Sequence, residues 1–474
     1  MYYDGASGIE PDIEEFVDFN PTQVITIPEN FAEYVEILQS GRYNFQHEPY
    51  NITNPNAEIY VVGDLEGDSN ILYRWLIASG FINVDLQWTA ADNIYIIQCG
   101  DQLDNGIANT GSGNSYFPFY NRRPSLGADY FNLDMYLLLF TDYLSVKSNN
   151  HFLSILGNHE IINLHRDFRY VNLTNVLDPP EILDIMTLFN NFSRKEISYQ
   201  RFLGSKETAI INYLERRRQL LTADGIFGKL LRRRNFIIRF NNLLISHAGI
   251  VDTLFADYIR TIDSITPFDM DKIISNINMQ ISIRDNWPTT NVFNRGDFNI
   301  IYNVIKNPTI PNLDYDVRNE RFTDLFKIIL NGDVNLSSSP IWNRKYEVPK
   351  KTTTSNMDHC LPKDGSPFED FIVVTGHNSN KNTKFCDCTR FNPCEDICTG
   401  HPKWIVTDVG QAGTIFPYLE ATKITYSGGI ISYPIKVVGF PDITGTVDAK
   451  AIRDNSEINS KLGITTTTLE NFIP

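Results

Sequence analysis

The chain has 474 residues, 42% hydrophobic and 21% charged, enough for a large core in one big domain or two ordinary ones. A net charge of −16 argues against a general nucleic-acid binder, which needs a basic face, and suits a protein that collects metal cations. No apolar run approaches the ~18 residues that span a bilayer, so no membrane span is expected. The N-terminus, "MYYDGASGIEPDIEEF", lacks the basic and apolar regions of a signal peptide, so the expectation is an intracellular, cytoplasmic protein with reduced thiols.

Residues 1–57 are polar and acidic and predict an N-terminal extension, packed on or trailing from a main domain over 58–442. From Glu58 the pattern becomes strand, loop, helix. "EIYVV" predicts a buried strand and "SNILYRWLIASG" a helix ended by Gly80. "NIYIIQC" predicts a second buried strand, "ADYFNLDMYLLLFTDYLSV" a long helix and "HFLSIL" a third strand. Residues 164–233 and 252–332 read as helical insertions. Between them, "NFIIRFNNLLISHAG" signals a hairpin around Asn241 and Asn242. Further strands are expected in "FIVVTG", "KWIVTDVG", "GTIFPYLE" and "ISYPIKVVGF". A Cys-rich insertion spans about 378–402, and 443–474 is a polar, Thr-rich tail. Strands alternating with helices predict an α/β or layered αββα architecture.

The chemistry lies where the strands end. "EIYVV" is followed by "GDLEG", "IYIIQC" by "GDQLDNG", "FLSIL" by "GNHE", "NNLLI" by "SHAG" and "FIVVT" by "GHN". In an α/β sheet, ligands bind beyond the carboxyl ends of the strands. These segments can therefore deliver Asp64, Glu66, Asp101, Asp104, Asn158, His159, His247 and His377 into one crevice. Carboxylates suit hard ions such as Mn2+ and Mg2+, and imidazoles suit Zn2+ and Fe. A bridging carboxylate can hold two ions ~3.5–4 Å apart, the spacing of two-metal hydrolysis.

The order of these motifs resembles the calcineurin-like metallophosphoesterase superfamily, and the Glu of "GNHE" resembles its phosphoprotein phosphatase branch. Within it, "LGNHEIINLHRDFRYV", "GIFGKLLRRRNFIIRFNNLLISHAGI" and "SPIWNRKY" are most similar to Shewanella-like protein phosphatases. The resemblance covers roughly residues 58 to 440. It implies a four-layer αββα sandwich with helical insertions and two divalent metal ions, Mn2+ first, with Mg2+, Fe and Zn2+ as alternatives. It implies hydrolysis of phosphate monoesters, on phosphoprotein Ser/Thr or Tyr, by a metal-bridging hydroxide. Asp64 and Glu66 would face the first metal, Asp101 would bridge, and Asn158, His247 and His377 would hold the second. His159 would be the general acid, oriented by Asp104. Arg169 and Arg344 would clamp phosphate oxygens, with pairing of Arg169 to Asp167 as the structural alternative.

Two positions depart from that pattern. Glu66 stands where the family has His, which makes the first site oxygen-only and biases it towards Mn2+ or Mg2+. Asn105 replaces an Arg, and losing one charged hydrogen bond costs ~1.5–3 kcal/mol. Spent in the transition state alone, that is ~10- to 150-fold in rate. Both changes keep open the reading of a catalytically impaired binding protein. A phosphodiesterase or nucleotide hydrolase on the same scaffold is a further alternative, against which "GNHE" and the lack of a nucleic-acid face weigh. Cys386, Cys388, Cys394 and Cys398 leave three states open, a structural zinc knuckle, disulfides or free thiols. The triplets Arg216 to Arg218 and Arg232 to Arg234 read as a solvated helix face or a docking patch for an acidic partner.

Overall fold

The computed structural model describes residues 27–40, 43, 46–67, 69–83, 85–104, 134–165, 217–251, 254, 269–287, 323–331, 339–342, 368–377, 384–386, 402–407 and 421–438. The described elements begin with α1 (Phe31–Gln39), β1 (Asn51–Ile52), β2 (Glu58–Val62), α2 (Ser69–Ala78), β3 (Ile94–Gln98) and α3 (Asp134–Lys147). They continue with β4 (Phe152–Ser154), α4 (Asn158–Leu164), α5 (Ile226–Arg232), β5 (Ile237–Phe240) and β6 (Leu243–Ser246). Then come α6 (Met270–Met279), α7 (Asp324–Asn331), β7 (Ile372–Thr375), β8 (Lys384–Cys386), β9 (Trp404–Val406), β10 (Ala421–Ser427) and β11 (Ile430–Val438).

Two mixed sheets result. The first has the order β11-β10-β2-β3-β4, with β2, β3 and β4 parallel and β10 and β11 antiparallel. The second has the order β1-β5-β6-β7-β9-β8, with β6, β7 and β9 parallel. The hairpin expected at Asn241 forms between β5 and β6, with Asn241 at φ +50°.

The strands alternate, and each face has its own partner. Ile59, Val61, Ile97 and Leu153 of the first sheet, with Ile155 just after β4, meet Ile238, Phe240, Leu243, Ile245, Ile372, Val374 and Ile405 of the second in one apolar layer. The intervening residues, among them Tyr60, Val62, Ile96, Phe152, Leu244, Val373 and Trp404, join the apolar cluster formed with the helices. Helix α3 lies against β4, and α6 against β5. Helix, sheet, sheet, helix is the layering expected from the sequence.

Within the segment expected to be helical over 252–332, the described residues form α6, two short 3-10 turns and α7, and residues 31–52 supply a helix and a strand that pairs with β5. The expected strand "GTIFPYLE" lies outside the described residues. No described helix is long and apolar enough to cross a membrane. Because β2, β3 and β4 run parallel, as do β6 and β7, the loops after them gather at one end of the sandwich.

Candidate metal centre

Each strand end needs a sharp turn, and the backbone shows it. Among described residues, eight non-glycine residues have positive φ, and four of them are Glu66, Asp101, Asp104 and His377. Such strain concentrates where surrounding structure holds a functional geometry. Gly100, at φ +84°, lets the second and third loops meet: a Cβ there would stand 2.6 Å from the Gly157 nitrogen. A Cβ on Gly157 would overlap the Asp101 carboxylate.

The loops are bolted together by Glu160, which is fully buried. Its Oε1 accepts from the backbone N–H of Gln102 at 2.7 Å and Leu103 at 3.0 Å. Its Oε2 accepts from Asp101 at 2.9 Å and Gly157 at 2.7 Å. Burial and the nearby Asp101 charge raise its pKa, and the backbone donors pull it back. The sequence reading gave Glu160 no role.

Four electron-pair donors from four strand ends converge. His247 Nε2 lies 2.8 Å from Asn158 Oδ1, 3.1 Å from His377 Nδ1 and 3.2 Å from Asp101 Oδ2. His247 Nδ1 is 2.6 Å from the Cys99 carbonyl oxygen, which can only accept, so in the neutral ring the proton sits on Nδ1 and Nε2 carries a lone pair. Lone pairs of Asp101, Asn158 and His247 then face one another without a proton among them. That arrangement is repulsive alone and favourable around a cation. Ligands ~2.1 Å from one ion at octahedral angles stand ~3 Å apart, so the spacing fits. The ligand atoms of Asp101, His247 and His377 all lie within 4.8 Å of one another. Without a cation, a turned-over Asn158 amide would donate to Asp101, His247, His377 and the Ile341 carbonyl instead.

Asp64 and Glu66, expected at a first metal, are held less closely to the cluster. Asp64 Oδ1 accepts from the His377 backbone N–H at 3.1 Å and lies 3.7 Å from His247 Nδ1. Glu66 is tied in through its backbone, donating to the Asp101 carbonyl at 2.7 Å, and its charge reaches His159. Burial alone would push the Asp101 carboxyl up, but His247, His159 and His377 outweigh it and hold it well below the usual carboxylate range.

His159 is the second residue of helix α4, beside the cluster. Its Nδ1 is 2.9 Å from Asp104 Oδ2, and its Nε2 points back to within 3.8 Å of Asp101 Oδ2. Burial would lower its pKa, but Asp101, Asp104 and Glu66 together raise it to about 9. Cations at Asp101 would oppose that rise. The side chain is 14% exposed, so it stands at the mouth of the site rather than inside the core.

Of the remaining expectations, Asn105, Arg169 and Arg344 lie outside the described residues. Cys386 ends β8, while Cys388, Cys394 and Cys398 lie outside the described residues. The reading of the arginine triplets is corrected at five positions, while Arg216 lies outside the described residues. Arg217, Arg218, Arg232, Arg233 and Arg234 are all buried, 0% to 6% exposed, so they form neither a solvated face nor a docking patch. Their charges are met internally: Arg217 by Asp104 and Asp134, Arg233 by Asp142, Arg234 by Gln102 and Thr141. Asn163, missed in the sequence, donates to Asp104 at 2.7 Å. Its position four residues after His159, on the same helix face, was the available signal.

No family model matches the chain. It is 26% identical over 214 residues to Shewanella-like protein phosphatase 1 of Plasmodium berghei (strain Anka), a match covering 45% of this chain and 43% of that protein. The match therefore spans less than half of that relative. This similarity bears out the resemblance seen in the motifs. Among solved structures, the cold-active protein-tyrosine phosphatase of a psychrophilic Shewanella sp. aligns with TM-score 0.44 and 17% identity, over 84% of this chain and 83% of that one. A protein serine/threonine phosphatase from Saccharomyces cerevisiae aligns with TM-score 0.35 and 11% identity, over 88% and 89%.

Proposed function

We propose that the chain is a metal-dependent phosphatase that hydrolyses phosphate monoesters, with a phosphorylated protein side chain as the substrate class. The observation that carries this is the convergence of Asp101, Asn158, His247 and His377 from four separate strand ends, with His159 aimed at the same point. Two divalent ions, when bound, would supply Lewis-acid polarisation of the phosphoryl group and an acidified water as nucleophile. Asp101 would be shared between them. Asn158, His247 and His377 would hold one, and Asp64 and Glu66 the other. An oxygen-only first site favours Mn2+ or Mg2+ over Zn2+.

The protein's own groups supply the rest. His159, hydrogen-bonded to Asp104, presents Nε2 to the leaving oxygen and would hand it a proton as the ester bond breaks. Asp104 fixes the ring and favours its charged form. Arg169 and Arg344 are the proposed phosphate clamps.

The test is phosphate release after metal removal and return of Mn2+, from an aryl monoester and a diester in parallel. Monoester turnover should return with Mn2+. Asp101→Asn should abolish it, and His159→Ala should lower it by ~100-fold or more. Diester preference would select the phosphodiesterase reading. Metal binding without turnover of either ester would select the binding-protein reading, which Glu66 and Asn105 favour.

A further inference from the structure

A buried cation stands behind His159. Arg217 is 0% exposed, in a helical turn at 217–220. Its Nη2 donates to Asp104 Oδ1 at 3.1 Å and to Asp134 Oδ2 at 2.7 Å, and its Nη1 donates to Asp134 Oδ1 at 3.1 Å. Its Nε donates to Asn163 Oδ1 at 2.8 Å. Asn163 in turn donates to Asp104 Oδ2, the oxygen that faces His159 Nδ1. Asp134 also accepts from the Asp104 backbone N–H at 3.0 Å.

This places two buried carboxylates side by side, with Asp104 on a strained backbone at φ +66°. Like charges so placed repel, and the pair is stable only with a cation between them. The planar fork of Arg217 meets both, and through Asn163 it also closes the second side of Asp104. Among the described residues, Arg217 and Asn163 join His159 in hydrogen-bonding the Asp104 carboxylate, and Arg217 also holds Asn163.

We infer that Arg217 is a positioning residue, which acts through Asp104 and Asn163 to hold the His159 ring in the orientation that points Nε2 into the site. Arg217 touches no substrate. The inference rests on the reading of His159 as the acid, so its test carries one measurement that needs no turnover. In the full chain labelled with 15N-histidine, the Nδ1–H proton of His159, assigned by its loss in His159→Gln, should give a slowly exchanging downfield resonance. Arg217→Met should broaden it beyond detection.

With Mn2+ restored, Arg217→Met should lower kcat for phenyl phosphate by ~10- to 100-fold, because that poor leaving group needs the proton. For 2,4-dinitrophenyl phosphate, whose leaving group needs none, kcat should fall ~3-fold or less, with KM little changed for both. In an Asp104→Asn background, Arg217→Met should add nothing further, as expected for residues acting as one unit. Arg217→Lys keeps a buried cation, folds more readily, and should show the same ester-dependent loss in weaker degree. A resonance unchanged in both variants, or equal losses on the two esters, overturns the inference. A wild-type chain that hydrolyses neither ester removes the phosphatase reading instead, and the imidazole resonance alone then decides Arg217.

Discussion

Glu160 illustrates what a single residue contributes here. Its two oxygens accept four backbone N–H groups from the loops after β3 and β4. Those loops carry Asp101 and Asp104 at positive φ, a strain of ~1–3 kcal/mol each that other interactions must offset. Glu160→Gln swaps one acceptor oxygen for an N–H2 donor and leaves backbone donors facing a donor. The expected loss is ~1–3 kcal/mol, read from urea unfolding, with weaker Mn2+ binding in the same variant. An unchanged midpoint and unchanged Mn2+ affinity would show that the bracket is dispensable.

At the scale of elements, α3 is where sequence and structure part most. Its composition is apolar around most of the helix, and it reads as a plain core helix. In the structure one stripe of it meets buried polar partners: Asp134, Thr141 and Asp142 accept from Arg217, Arg234 and Arg233, and Ser145 donates to Glu48. Asp142 also accepts from Tyr34 and Tyr43, whose phenols burial keeps protonated, so both donate. Asp142→Asn would leave Arg233 buried without its counter-charge and should cost ~3–5 kcal/mol in urea unfolding. A change under ~0.5 kcal/mol, the size expected at a surface site, would contradict the burial of that pair.

The burial of the described arginines of the two triplets has a physical reason that no local pattern shows. Charge runs near a helix are usually solvated, and the partners of Arg217, Arg233 and Arg234 on α3 lie 83, 91 and 93 residues away in the chain. No local pattern carries that pairing. The strand ends were legible because their signal is local: an apolar run of alternating burial, then a glycine, then a ligand-type side chain. Glu160 and Asn163 fall between the two. Both sit within the "GNHE" helix, yet what they bind is fixed only when the β3 loop folds against it.

For the molecule as a whole, the order of the motifs along the chain foretold which loops gather, because parallel strands share an end. Sheet order itself was not legible. Strand β10, from far along the chain, adds antiparallel to β2, and β1 adds to the far edge beside β5. Segment 27–52 is likewise more than an ornament on the fold: Tyr34 is fully buried, Glu48 donates its backbone N–H to the Arg233 carbonyl, and β1 extends a sheet. The sandwich thus stacks two sheets face to face with the carboxyl ends of their parallel strands at one end, and the candidate cation site lies at their junction.

That junction is best tested directly by anomalous diffraction from crystals of the full chain grown with Mn2+. The account predicts a manganese peak within ~2–2.5 Å of Asp101, Asn158, His247 and His377 together, with a second beside Asp64 and Glu66. Side chains of those four residues turned apart, or no peak among them at saturating Mn2+, would contradict it.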